Sequence, residues 1–205
     1  MKPLAAFVAL ALAAFFFMFA PAVNQHVPFW PLMSATAAIL SISSLIFQRK
    51  FFNDIYPLST PDIFIGLFSA LLLYAMFWAG HFLSTRILPF AASQIGSIYD
   101  IRSEQNPMLI ACLLMFLIGP SEEIFWRGFV QHRLSKKFGR LTGLIIAAGL
   151  YTGVHIASLN FMLIAASALC GIFWGLLFMQ TKKLWPCIIS HAIWDVTIFI
   201  LLPIT

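Results

Sequence analysis

The stretch "MLIACLLMFLIGPSEEIFWRGFV", residues 108–130, is long and apolar enough for a bilayer, yet it carries Glu122, Glu123 and Arg127. A spanning helix needs about 20 mainly apolar residues, and ionisable groups within it are costly. The rest of the chain makes the membrane reading hard to avoid. Hydrophobic residues make up 61% of the 205, charged residues 9%, and there are 22 Phe and 6 Trp. Mean hydropathy is +0.95. Soluble domains are about half apolar and about a quarter charged. The composition therefore predicts an all-α, polytopic integral membrane bundle in the cell membrane.

Working outward from 108–130, six more apolar stretches predict helices, at 4–23, 30–47, 63–83, 141–158, 160–180 and 184–203. They must be helical, because lipid satisfies no open backbone. The first resembles a secretory signal peptide in its "MK", apolar core and "FAPA". Its core is long for that role, and the segment is read as a retained span. Residues 84–106 form one long connection, predicted to be partly helical at the outer interface.

Charge orients this bundle. With the N-terminus in the cytoplasm, Lys2, Arg49, Lys50, Arg133, Lys136, Lys137, Arg140, Lys182 and Lys183 all fall on the cytoplasmic side. Only Arg86 and Arg102 fall outside, and the positive-inside rule favours that arrangement. The pI near 9.4 thus reflects topology signals, and no nucleic-acid partner is expected. Cys112, Cys170 and Cys187 lie in apolar runs without pairing or C-x-x-C spacing, so they read as small buried hydrophobes. Gly149-x-x-x-Gly153 and Gly171-x-x-x-Gly175 predict faces of close helix approach.

The polar residues inside the apolar stretches form three patterns. Glu123 and Arg127 are spaced i,i+4 with the acid first, the favourable order for a pair. Glu122 points about 100° away around the helix. Arg127 is thus assigned to Glu123, and Glu122 is left as an unpaired carboxylate suited to proton transfer. Tyr151 and His155, then His191 and Asp195, repeat the i,i+4 spacing, so each pair shares one helix face. Tyr151 is placed to pack on His155 or hydrogen-bond it, and Asp195 to orient His191 or stand beside it. If Gly139 turns a helical hairpin, Glu122 and His155 lie level. His191 lies about 10 Å past Trp185 at 1.5 Å per residue. Levelling all three requires the tip "HRLSKKFGR" to project into the cytoplasm, which predicts a shallow site opening on that side. Pro120 predicts a kink just before Ser121. His26, His81 and His132 read as interfacial or solvated residues.

"EEIFWRGF", "YTGVH" and "HAIWD", in that order, resemble the three motifs of the CPBP intramembrane protease family. This family includes type II CAAX prenyl endopeptidases, abortive-infection proteins and bacteriocin-immunity proteins. The likeness covers residues 108–205; residues 1–107 carry spans without a recognised motif, and the whole is read as a single membrane domain. Two positions depart from the usual pattern: Tyr151 stands where Phe is common, and Asp195 where the prenyl proteases carry Asn. An ionised Asp only accepts hydrogen bonds, which weakens the case for a prenylated substrate. The resemblance implies an endopeptidase acting on membrane-anchored substrates near the cytoplasmic leaflet. Glu122 would activate a water shared with His155, His191 and Asp195 would stabilise the oxyanion, and Glu123 and Arg127 would support them. Zinc held by Glu122, His155 and His191 is the alternative, but no local spacing encodes a zinc tetrahedron and H-E-x-x-H is absent. The rival of another class is a non-proteolytic immunity factor, scaffold or small transporter, using the same polar cluster structurally.

Overall fold

The computed structural model describes residues 2–49 and 52–204, and among them every regular element is helical. Lys50 and Thr205 lie outside the described residues. The helices are α1 (Lys2–Phe19), α2 (Phe29–Gln48), α3 (Phe52–Ile55), α4 (Thr60–Ile87) and α5 (Ala91–Asp100). They continue with α6 (Pro107–Phe138), α7 (Arg140–Gly153), α8 (Phe161–Thr181) and α9 (Trp185–Leu201). A helix stands at each of the seven predicted stretches. Five are long and apolar enough to cross a membrane, namely α2, α4, α6, α8 and the segment Arg140–Ser158; those at Pro3–Phe19 and Trp185–Leu201 are shorter.

Local sequence sets the ends. Asn106 accepts a hydrogen bond from the Met108 N–H, and Pro107 opens α6 where a missing N–H costs nothing. The Asn160 side chain accepts from the Leu163 N–H to start α8. At α4, the Asp62 carboxylate accepts from both the N–H and the hydroxyl of Ser59. Gly139 turns α6 into α7 with φ +89°, a conformation that glycine adopts without strain.

Pro120 does not break its helix. Residues Leu114–Ile118 widen into a π-helical turn, and the Gly119 N–H reaches back to the Leu114 carbonyl. The widened turn absorbs the missing donor and the crowding of the proline ring, a known use of π-bulges. A second π-helical stretch, Ile124–Gln131, carries Arg127. Helix widening, which no sequence pattern announced, thus stands on both sides of the two glutamates.

Helix α6 lies in the centre and touches α2, α7, α8 and α9. A buried stripe on α1 (Leu4, Val8, Ala11, Phe15, Met18) joins this core. The opposite pattern holds outside, where Phe64, Phe68, Leu71 and Trp78 of α4 are exposed, as lipid-facing positions are. Of the predicted small-residue faces, one is used. Gly171 meets the Tyr151 ring and Ala148, and Gly175 meets Gln131 and Leu144, whereas Gly149 and Gly153 face open space. Cys170 and Cys187 are buried as expected; Cys112 is exposed.

Contacts define two ends of the bundle. At one, Arg133 donates to the Phe47 carbonyl, Arg140 to the Met179 carbonyl, and the Leu184 N–H to the Ile55 carbonyl. Lys183 pairs with Asp62 there at 3.0 Å. At the other, Trp30 donates to the Ile101 carbonyl and Asn160 to the Gln94 carbonyl. Tyr99 and Arg102 donate to the carbonyls of Ile198 and Phe199. Burial pushes the Tyr99 phenol above its usual pKa, so it stays protonated and bridges to the Ile204 N–H.

Candidate active site

Glu122, Tyr151, His155, His191 and Asp195, brought from α6, the end of α7 and α9, line one cavity of about 750 Å³. Supporting residues Glu123 and Arg127 lie behind its wall, 0% and 2% exposed.

Glu123 is the hub. Its Oε1 accepts from Arg127 Nη1 at 2.8 Å and lies 2.7 Å from His191 Nδ1. The pairing with Arg127 follows the i,i+4 expectation. The link to His191, 68 residues away, has no signature in local spacing and was not anticipated. A carboxylate held by a guanidinium only accepts hydrogen bonds, so His191 donates through Nδ1. Arg127 completes its coordination on the Cys170 and Gly171 carbonyls, with its guanidinium over the Tyr151 and Trp174 rings.

The two histidines are held differently. His155 Nδ1 lies 2.9 Å from the Tyr151 carbonyl, which can only accept. His155 is therefore protonated at Nδ1, and its Nε2 is left for another partner. The Tyr151 ring packs edge-on to His155, and its hydroxyl lies beside Glu122. His191 Nε2 lies 3.4 Å from Asp195 Oδ2. Trp174 stacks on the imidazole with ring centroids 3.8 Å apart, and is itself fixed by donating to Ser190 Oγ.

Glu122 contrasts with its neighbour. It is 9% exposed, borders the cavity and takes part in no ion pair among the described residues, although Oε2 of each glutamate lacks a hydrogen-bond partner there. The sorting of one free and one paired glutamate is the arrangement expected from 100° of helical rotation.

Sequence reasoning missed several residues. Phe15 and Phe19 of α1 flank His155 with ring centroids at 5.3 Å, so the part of the chain without motifs supplies a wall of the site. Trp174 had no pattern to reveal it. His81, expected to be merely interfacial, borders the cavity.

The direction of the cavity corrects the expected opening. It runs from Glu122 toward the end bearing Asn24, Leu88, Ser97, Asn160 and Ile204, away from the "HRLSKKFGR" tip. His155 lies just past the end of α7 remote from that tip. Helix register fixes only the mutual height of Glu122, His155 and His191; they stand together, but at the end of the bundle remote from that tip.

Both histidines are fixed through Nδ1, His191 on Glu123 and His155 on the Tyr151 carbonyl, which leaves Nε2 of each toward the cavity. Among the described residues no group of three or more His, Cys, Asp or Glu is arranged to hold a metal ion.

Close approach of backbones sets the geometry. A Cβ at Gly119 would lie 3.1 Å from Ala192 Cα and 3.0 Å from the Leu114 carbonyl oxygen. Both are backbone atoms that cannot swing aside. Gly119→Ala is expected to destabilise by about 1–3 kcal/mol and to displace His191, the neighbour of Ala192. Thermal unfolding in detergent together with activity checks this; wild-type values of both would show that α9 moves freely.

An all-helical membrane bundle with carboxylates and histidines converging on a buried cavity defines a candidate intramembrane enzyme. Residues 104–197 match the family model described as type II CAAX prenyl endopeptidase Rce1-like. Through that segment, a little under half of its length, the chain is similar to a family of proteases, in agreement with the three motifs. No curated protein and no solved structure matched it.

Proposed function

We propose that the protein is an intramembrane endopeptidase that hydrolyses peptide bonds of membrane-anchored substrates. It would be a single multi-pass domain of seven spans in the cell membrane, with the N-terminus cytoplasmic. The observation that carries the reading is the difference between the two glutamates. Glu123 is held through Oε1 by Arg127 and His191 behind the wall, while Glu122 lines the cavity and takes part in no ion pair among the described residues.

In this reading Glu122 takes a proton from water, which His155 Nε2 positions by accepting its other hydrogen. The water oxygen attacks the scissile carbonyl carbon. Charge then develops on the carbonyl oxygen, and His191 donates to it from Nε2. That donation requires an imidazolium, which the carboxylates Glu123 and Asp195 on either side of the ring complement. Collapse of the tetrahedral intermediate breaks the C–N bond, and Glu122 returns its proton to the leaving amine. Asp195 orients and balances His191 here, so its substitution for Asn leaves peptidase chemistry intact. The peptide must enter extended, because a helical carbonyl is already hydrogen-bonded within its helix.

The test compares membrane proteomes of cells expressing wild type and Glu122→Gln. New protein termini dependent on Glu122 are expected; their absence would favour an immunity factor, scaffold or transporter. Activity of the purified protein is further expected to survive strong chelators, because in this reading His191 acts as an imidazolium, which has no lone pair for a metal. Stoichiometric zinc lost together with activity would overturn that expectation.

A further inference from the structure

Charge and cavity lie at opposite ends of this bundle, and that bears on where substrate comes from. Arg49, Arg133, Lys136, Lys137, Arg140, Lys182 and Lys183 gather in the helix ends and connections at one end; Arg86 and Arg102 stand at the other. The connections are short, the setting in which Lys and Arg govern orientation. The basic end is therefore the cytoplasmic one.

The cavity reaches the opposite end. Its lining takes residues from each connection there, including Asn24, Leu88, Ile101, Asn160 and Ile204, and none from the basic end's connections. Beneath Glu122, toward the basic end, the interior is filled by Phe125, Phe129, Val130, Gln131, Leu184 and Cys187, all 2% exposed or less. A chain arriving from the cytoplasm meets packed side chains. One arriving from the far side meets a polar rim and then the aromatic walls of Phe15, Phe77 and Trp194.

We propose that the site takes its substrate from the non-cytoplasmic side. The substrate class is then a membrane-anchored polypeptide presenting an extended segment at the outer surface of the bilayer. The substrate part rests on the endopeptidase reading above; the access part does not. The helix Ala91–Asp100 stands beside this mouth, tied to α8 by Asn160 and Gln94, so an entering segment passes along it.

Single cysteines at Asn24 and at Lys137, in a Cys112→Ser background, test access with a membrane-impermeant maleimide. Asn24→Cys is expected to label in right-side-out vesicles and Lys137→Cys only in inverted ones. Labelling of Asn24→Cys only from the cytoplasmic side would overturn the proposal. A second arm uses two single-span reporters carrying the same extended segment outside or inside, each with wild type and Glu122→Gln. Cleavage of the outer reporter alone, dependent on Glu122, is expected. Cleavage of the inner reporter alone would overturn the proposal. If Asn24→Cys labels from outside and neither reporter is cut, the substrate assignment falls with the endopeptidase reading, while the outward opening stands.

Discussion

Glu122→Gln is expected to lower cleavage by about 10²–10⁴-fold, the range for loss of a general base, while leaving thermal stability near wild type. Stability is spared because no ion-pair partner is stranded and the amide oxygen can still accept from the Tyr151 hydroxyl beside it. The amide matches the carboxylate in shape and lines the same cavity wall. What it cannot do is take a proton from water. Cleavage rates of a validated substrate, beside thermal unfolding of both proteins in detergent, check the expectation. Wild-type cleavage by the Gln variant would remove Glu122 as the base, and unfolding of the variant would mean that this side chain is structural.

That prediction was reachable from sequence because it depends on local geometry. Three polar pairs at i,i+4, on α6, at the end of α7 and on α9, indicate which side chains share a face, and one residue of offset separates Glu122 from Glu123. The structure puts Glu123 against Arg127 and leaves Glu122 on the cavity. Helix placement was legible for a similar reason, since apolar length dominates in lipid. The ends were less so. Helix α6 runs on through "HRLSKKF" to Phe138, where helix propensity continues although the apolar run has stopped.

Long-range contacts were hidden. Nothing in "FFFMF" says that Phe15 and Phe19 will flank an imidazole 140 and 136 residues later, because a Phe stripe packs equally well on many partners. The helix widening beside Pro120 was hidden too, because the way a helix answers a missing N–H depends on the neighbour. Here Gly119 must approach the Ala192 backbone. The opening failed for a different reason. Relative height along helices carries no sign, and only packing around Phe125, Phe129 and Leu184 shows which end is closed.

The Glu123–His191 contact leads to the second large effect. Glu123→Leu is expected to destabilise by about 3–5 kcal/mol, the cost of leaving a buried charge without its partner. Arg127, 2% exposed, would keep only the Cys170 and Gly171 carbonyls at 3.2 and 3.4 Å. The same change frees His191 Nδ1, so the ring loses the acceptor that fixes its orientation. Adding Arg127→Met separates these consequences. The double variant has no stranded charge and is expected to recover most of the lost thermal stability. Its cleavage activity should stay low, because His191 still lacks Glu123. Purification yield and unfolding temperature report the first effect, and kcat of the folded double variant reports the second. A double variant with wild-type kcat would show that Glu123 serves only to neutralise Arg127. One that is stable and slow would make Glu123 the positioning residue for His191.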